Sequence, residues 1–154
     1  FQAGKCFENG NQYKDLLKAS AREAKRDPRL RESGALVKFE LEGRYFPLVP
    51  RTLFYDWLYI AALMQHECLA EKAMAYSTFT DIAFNPEKSI NCQARSVALY
   101  VALRTADKLA EAMKDVETFQ RLVYPKESTE AAVQEPQRTR QLTLFDSEVF
   151  TTRD

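Results

Sequence analysis

The chain has 154 residues, of which 45% are hydrophobic and 29% are charged, and its 22 Lys and Arg residues balance 22 Asp and Glu residues. This composition predicts one globular domain with enough apolar side chains for a core, and it excludes a disordered or fibrous chain. The zero net charge argues against a protein that coats nucleic acid through bulk electrostatics, while local basic patches remain open.

Few residues are suited to binding a metal. The single histidine is His66, and the three cysteines are widely spaced, so we expect neither a disulfide framework nor a zinc site, and no cofactor. The cysteine usage is typical of a reducing cytoplasm. No signal peptide or membrane-spanning stretch is visible, and the start at Phe1 indicates a fragment or a processed chain.

The first half of the chain predicts a helix and a β-hairpin. Apolar residues recur at helical spacing from Tyr13 to Lys25, after the turn at 9–11, and Pro28 prevents the helix from continuing. Apolar and charged residues then alternate on both sides of Glu42-Gly43, a turn signal. We therefore expect a small hairpin over residues 37–46.

The second half is predicted to be helical. Thr52 is placed to cap a long helix that runs through Cys68, and its apolar faces make Trp57 a core residue rather than a ligand-stacking one. Residues 94–103 are apolar on most faces, and residues 107–123 have the pattern of an amphipathic surface helix. The predicted fold class is therefore mostly α with a small β-hairpin, an α+β domain.

Two segments depart from this helical pattern. Residues 77–93 mix polar with aromatic and aliphatic side chains between two buried helices, which is where chemistry tends to be located. Residues 126–140 are nearly devoid of apolar side chains and predict a disordered linker, followed by an isolated apolar cluster at 141–145. We expect a domain over 1–124 and a disordered tail over 125–154.

Neither a glycine-rich phosphate loop nor a serine elbow is present, but two features are suited to chemistry. Asp81 lies in the irregular segment over residues 77–93. It is either a residue of an active site or a hydrogen-bond acceptor that stabilises a turn or a helix start. Cationic residues flank the first predicted helix, either as anion ligands or as a solvated face favoured by the helix dipole. These cations are Lys5, Lys25, Arg26, Arg29 and Arg31.

Five short motifs together resemble the NADAR superfamily, and most closely its antitoxin branch, encoded beside DarT-type toxins that ADP-ribosylate guanine in DNA. The motifs are F-Q-A-G-K at 1–5, A-K-R-D-P-R at 24–29, the Trp57 helix, T-D-I-A-F-N-P at 80–86 and K-S-I-N-C-Q-A-R-S at 88–96. The resemblance covers residues 1–124 and implies a single NADAR-like helical domain. It also implies an N-terminal segment, with a glutamate three residues before Phe1, that this sequence lacks.

The resemblance implies an N-glycosidase that removes ADP-ribose from guanine in DNA, with the neighbouring toxin as partner. It places Lys5 in the active site and Asp81 near it, so that these two are the predicted catalytic residues. The predicted substrate-binding residues are Gln2, Lys25, Arg29, Asn91 and Arg95.

The residue types suit this chemistry. An N-ribosyl bond breaks with cationic character at the anomeric carbon, which a carboxylate such as Asp81 or the missing glutamate stabilises. Alternatively, Lys5 between Phe1 and Phe7 attacks the ring-opened sugar as an amine of lowered pKa. Arg29 offers a two-pronged donor for the diphosphate, and Lys25 offers a point charge.

Two other functions remain open. One is a non-catalytic helical module that neutralises or tethers a partner. The other is an N-glycosidase of riboflavin-pathway intermediates, which Phe84-Asn85 disfavours because relatives of that type have Trp-Gly there. Because one of the two expected carboxylates is absent, we expect this chain to be poorly active unless its upstream segment is restored.

The apolar cluster in the tail is a candidate binding motif. Its order Q-L-x-L-F resembles the peptide by which bacterial replication proteins hold the sliding clamp, and the alternative is that the cluster folds back onto the domain. The residues that would contact the clamp are Gln141, Leu142, Leu144 and Phe145.

Overall fold

A computed structural model describes residues 1–81 and 90–125. This part of the chain combines helices with a three-stranded antiparallel sheet, which confirms the predicted α+β fold class. In chain order, the elements are a 3₁₀ turn (Gln2–Gly4), β1 (Lys5–Phe7), a second 3₁₀ turn (Lys14–Leu17), α1 (Ala21–Arg26), α2 (Arg29–Glu32), β2 (Leu36–Leu41), β3 (Arg44–Phe46), α3 (Leu53–Met64), α4 (Glu67–Met74), α5 (Gln93–Thr105), α6 (Leu109–Ala112) and α7 (Val116–Val123).

The sheet contains the predicted hairpin and one additional strand. Strands β2 and β3 pair around Glu42 and Gly43, whose φ angles of 52° and 78° fit the tight turns of two-residue hairpins. Strand β1 pairs with the other side of β2, and Lys5 lies opposite Phe39. With three residues, β1 is too short to show the alternation that predicts a strand.

The main core lies where α3 meets the sheet, α5 and α7. Trp57 is only 4% exposed, and its ring contacts Phe46 and Phe119 edge-on at centroid distances of 5.5 and 5.3 Å. Phe54, one turn earlier, stacks on Phe39 of β2 at 4.5 Å. The prediction that Trp57 is a core residue is therefore confirmed.

The predicted helix over residues 13–25 is wrong in extent. A 3₁₀ turn ends at Leu17, and a new helix starts after Ser20. The Ser20 hydroxyl accepts a bond of 3.3 Å from the main-chain N–H of Glu23, and the Glu23 carboxylate accepts one of 2.9 Å from that of Ser20. This capping box begins a helix at Ala21 and separates it from the turn before it.

Two other predicted helices are also divided. The helix predicted from Thr52 through Cys68 ends at Met64, and Cys68 lies in α4. The helix predicted over 107–123 is interrupted before α7, because the Asp115 carboxylate accepts a 2.7 Å bond from the N–H of Thr118 and caps a new helix. The helix predicted over 94–103 is confirmed as α5.

Several predicted features lie outside the described residues: the turn at Asn85-Pro86, the Phe84-Asn85 pair, the linker at 126–140 and the apolar cluster at 141–145. They stay predictions. Among the helices that are described, none has the length and apolar character needed to cross a membrane.

Candidate active site

The N-terminal turn that directly precedes Lys5 is held tightly against the sheet. The Gln12 amide donates to the main-chain carbonyls of Ala3 and Glu40 at 3.1 and 3.2 Å, which ties the turn to β2. Gly4 packs so closely that a β-carbon there would come within 2.5 Å of the Phe54 ring. The glycine of F-Q-A-G-K therefore has a packing role that fixes the start of β1.

Lys5 is half-buried beside an aromatic cluster. Its Nζ lies 5.9 Å from the centroid of the Phe1 ring, which in turn packs against Phe39 at 5.2 Å and Phe54 at 5.6 Å. Burial penalises the charged ammonium and lowers the pKa of Lys5 below the ordinary value of 10.5. A larger fraction of this amine is therefore neutral near neutral pH, which is the form that attacks a carbonyl or imine carbon.

Gln2, three positions before Lys5, has a buried hydrogen-bond acceptor, its side-chain oxygen Oε1. Its Oε1 is shielded from solvent and accepts no hydrogen bond from any of the described residues. A buried acceptor without a donor is costly, and a bound molecule that carries hydroxyl or amine groups would supply one.

A series of contacts connects Lys5 with the start of α5. The Phe1 ring meets Tyr55 edge-on at 6.0 Å, and the Tyr55 hydroxyl lies near the side chain of Gln93, the first residue of α5. Burial raises the pKa of Tyr55. Asn91, a predicted ligand, is half-buried two residues before Gln93. Tyr55 and Gln93 lie outside the motif positions to which the family resemblance assigns a role, so their contribution to this region follows only from the structure.

Arg95, another predicted ligand, is anchored to a buried carboxylate. Its Nη1 donates to Asp56 of α3, and also to the hydroxyls of Thr52 and Tyr124 at 3.1 and 3.2 Å. Asp56 is only 1% exposed, and its second oxygen accepts a 2.6 Å bond from Ser96. The Arg95 side chain is still 39% exposed, so the network fixes one end of the guanidinium and leaves part of it at the surface.

Asp56 is not among the predicted site residues. Its signal in the sequence is a single carboxylate among the apolar residues of L-F-Y-D-W-L-Y-I, because a charge that is enclosed by apolar neighbours on a helix requires a partner.

Arg29 and Lys25, the predicted diphosphate ligands, lie in different surroundings. The Arg29 guanidinium donates to Asp27 at 2.7 and 2.9 Å and to Asp15 at 2.7 Å, and it lies over the Tyr13 ring at 4.5 Å. Lys25 is exposed and lines an open hollow to which Arg29 does not contribute. Arg29 therefore has a structural role, because its Nε and Nη2 are bonded to Asp27 and Asp15. Its Nη1 takes no part in these bonds.

Asp81 is half-buried in the segment between α4 and α5, directly before residues 82–89, which the structure does not describe. Its catalytic role stays a prediction. Within residues 1–81 and 90–125 there is no group of three His, Cys, Asp or Glu side chains that could hold a metal ion.

The fold and the site together define an α+β domain with a shielded amine at the edge of a small sheet. The family model described as the DarT1-associated NADAR antitoxin matches residues 1–133. The chain therefore belongs to this family of antitoxins. A search of curated proteins finds no match.

Proposed function

We propose that this protein is an N-glycosidase that removes ADP-ribose from modified guanine in DNA in the cytoplasm, and thereby acts as antitoxin to a DarT-type toxin. The observation that carries the proposal is the Lys5 amine, which is half-buried beside the Phe1 ring and has a lowered pKa. The family match supports the antitoxin role.

The proposed reaction proceeds through an imine on Lys5. In the ring-opened sugar, the anomeric carbon is joined to the guanine nitrogen by an imine bond. The neutral Lys5 amine adds to this carbon and passes one proton to the guanine nitrogen, and the guanine then leaves as its free amine with the second proton of the Lys5 nitrogen. Water then adds to the Lys5 imine, releases ADP-ribose and restores the amine.

Other residues would orient the substrate and assist proton transfer. The buried Oε1 of Gln2 is suited to accept a hydrogen bond from a ribose hydroxyl. We assign proton transfer to Asp81, and substrate contacts to Asn91 and to the exposed part of Arg95. Lys25 and Nη1 of Arg29 are the proposed ligands of the diphosphate.

The test measures release of ADP-ribose from an oligonucleotide that carries ADP-ribosylated guanine. We expect Lys5→Ala to abolish turnover, and Lys5→Arg to do the same because a guanidinium stays protonated. The matched control is Lys38→Ala, which removes an exposed lysine from the neighbouring strand. Wild-type turnover by Lys5→Ala would contradict the proposal.

Protection of cells separates the catalytic antitoxin from a non-catalytic binding module. If removal of ADP-ribose is the antidote, Lys5→Ala will fold and accumulate like the wild type but will not rescue growth of cells that express the toxin. Rescue by this variant would favour neutralisation by contact.

The same kinetic assay separates the two glycosidase substrates. We expect no release of the base from riboflavin-pathway N-ribosides under conditions in which the DNA adduct is cleaved.

We also propose that Gln141, Leu142, Leu144 and Phe145, all outside the described residues, bind the sliding clamp and hold the enzyme near replicating DNA.

A further inference from the structure

Four cations surround an open hollow on the outer side of the first two helices. The hollow has a volume of about 520 Å³, and apart from Ala21 every residue that lines it is cationic. These cations are Arg22, Lys25 and Arg26 of α1 and Arg31 of α2.

The spacing of the cations explains why they meet. Arg22, Lys25 and Arg26 are separated by three and four positions, so their side chains emerge on one face of α1. All three are exposed, and so is Arg31, which approaches from the following helix. The result is a row of positive charge on the surface.

These charges are not neutralised within the described part of the chain. None of the four cations forms an ion pair with a carboxylate of residues 1–81 or 90–125. Three acids lie next to these cations in sequence: Glu23 belongs to the capping box of α1, Asp27 pairs with Arg29, and Glu32 forms no ion pair with any of the four cations. The hollow therefore keeps a positive field although the whole chain has no net charge.

The charged face is connected rigidly to the candidate active site. Ala24, on the inner side of α1, is buried in a small apolar cluster that also contains Ala3 and Leu16. Ala3 lies two residues before Lys5 in the turn that Gln12 ties to β2. The packing of α1 on this turn holds the hollow in a fixed relation to the Lys5 amine.

We infer that this hollow binds the phosphodiester backbone of the nucleic acid strand next to the modified base, an inference that rests on the proposed function. Arg22, Arg26 and Arg31 are separate, exposed cations beside Lys25, the proposed diphosphate ligand, and a row of such cations matches the phosphates of a strand that continues from the modified nucleotide. The strand is single, since a base within a duplex stack cannot reach a reactive side chain.

The test uses fluorescence anisotropy to measure how tightly the full chain binds a labelled single-stranded oligonucleotide without ADP-ribose. The measurement is repeated at several salt concentrations. The variant Arg22→Ala/Arg26→Ala removes two cations of the hollow and leaves Lys25 for the diphosphate. The matched control, Lys72→Ala/Lys114→Ala, removes two exposed cations of other regions. Unchanged thermal unfolding of both variants shows that they fold.

We expect the Arg22/Arg26 variant to bind at least tenfold more weakly, and the slope of log affinity against log salt to fall by about 0.7 for each lost phosphate contact. The control variant will bind like the wild type. On ADP-ribosylated guanosine, which has no backbone, the Arg22/Arg26 variant will keep its turnover while Lys5→Ala loses it, which separates this inference from the proposed glycosidase.

Equal binding by the wild type and the Arg22/Arg26 variant would overturn the inference, whatever the result for Lys5. The inference would also be overturned if the variant kept its affinity for the oligonucleotide and lost affinity for the toxin, because the hollow would then bind an acidic protein surface.

Discussion

At the residue scale, the half-buried amine of Lys5 makes the reaction depend on pH in a defined direction. Burial lowers the pKa of Lys5 below 10.5, so the neutral, nucleophilic fraction rises as pH increases through the lowered value. We therefore expect the rate of Lys5 imine formation to rise with pH and then to reach a plateau. The midpoint of this rise will lie below pH 10.5. Rapid-quench trapping with a reducing agent at each pH measures this rate. A midpoint at or above that of an exposed lysine would contradict the account.

Gly4 offers a second prediction at this scale. A β-carbon at position 4 would meet ring atoms of Phe54 at 2.5 and 2.8 Å, so Gly4→Ala must displace either the ring or the turn that precedes Lys5. We expect a loss of about 1–3 kcal/mol in the free energy of unfolding, typical of overpacking, together with reduced turnover. Denaturant unfolding measures the first quantity.

The double variant Gly4→Ala/Phe54→Leu is the control for this explanation. Leucine is smaller than phenylalanine, so Gly4→Ala will cost less stability in the Phe54→Leu background than in the wild type. The same cost in both backgrounds would show that contact with the Phe54 ring is not the cause.

The predicted site residues differ in how far their surroundings could be foreseen. Lys5 and Gln2 lie in a short motif within one turn, so their proximity follows from the sequence. Tyr55, which contacts Phe1 of the same motif, comes from a helix about fifty positions away, and contacts of this kind depend on how α3 packs on the sheet. The two carboxylates that pair with Arg29 are likewise a result of the tertiary fold.

At the element scale, the Asp56 network joins three helical segments. Asp56 lies on α3, Arg95 and Ser96 lie on α5, and Tyr124 follows α7. Because the carboxylate is buried and hydrogen-bonded from several sides, the network favours one packing arrangement of these helices. It therefore positions the start of α5, where Asn91 and Gln93 lie.

The Tyr124 hydroxyl gives this network a measurable pH dependence. Burial, followed by the hydrogen bond to Asp56, raises the pKa of Tyr124 from 10.0 to about 12. The native state keeps this proton while the unfolded chain loses it. The corresponding stabilisation is therefore complete below pH 10 and is lost as pH rises to about 12.

The measurement is the free energy of unfolding of the wild type and of Tyr124→Phe at pH 9 and at pH 12. We expect the wild type to lose about 2–3 kcal/mol more than the variant over this interval, since one pKa unit corresponds to about 1.4 kcal/mol. Comparison with the variant removes the contribution of the other tyrosines. Parallel losses would contradict the role assigned to Tyr124.

The boundaries of the elements show what periodicity can and cannot predict. The hairpin is predictable because the alternation and the Glu42-Gly43 turn agree. Periodicity makes the helices around Ser20 and Asp115 too long, because an apolar pattern continues across a cap that starts a new helix. The S-x-x-E sequence at 20–23 is a capping signal that was readable in advance.

At the scale of the whole molecule, zero net charge conceals an uneven distribution of charge. Zero net charge argues against binding through bulk electrostatics but leaves local basic patches open, and the structure shows four cations without an ion pair around one hollow in the described part. Composition reports the sum of charges, whereas recognition of a phosphate chain depends on where they lie.

The tail provides a prediction at the same scale. A peptide that spans residues 138–148 is expected to bind a bacterial sliding clamp with a dissociation constant of tens of micromolar, or about −6 kcal/mol, as is typical of short linear motifs. Replacing Leu142, Leu144 and Phe145 by alanine removes the apolar anchors and serves as the control. Equal binding, or absence of binding, by both peptides would contradict the tether.

The central claim is that Lys5 forms a covalent imine with the sugar of its substrate. The most direct test is to incubate the full chain with an oligonucleotide that carries ADP-ribosylated guanine, reduce with borohydride and map the adduct by mass spectrometry. The account predicts ADP-ribose on Lys5 and none on Lys38. Turnover by the wild type without an adduct on Lys5, together with undiminished turnover by Lys5→Ala, would contradict it.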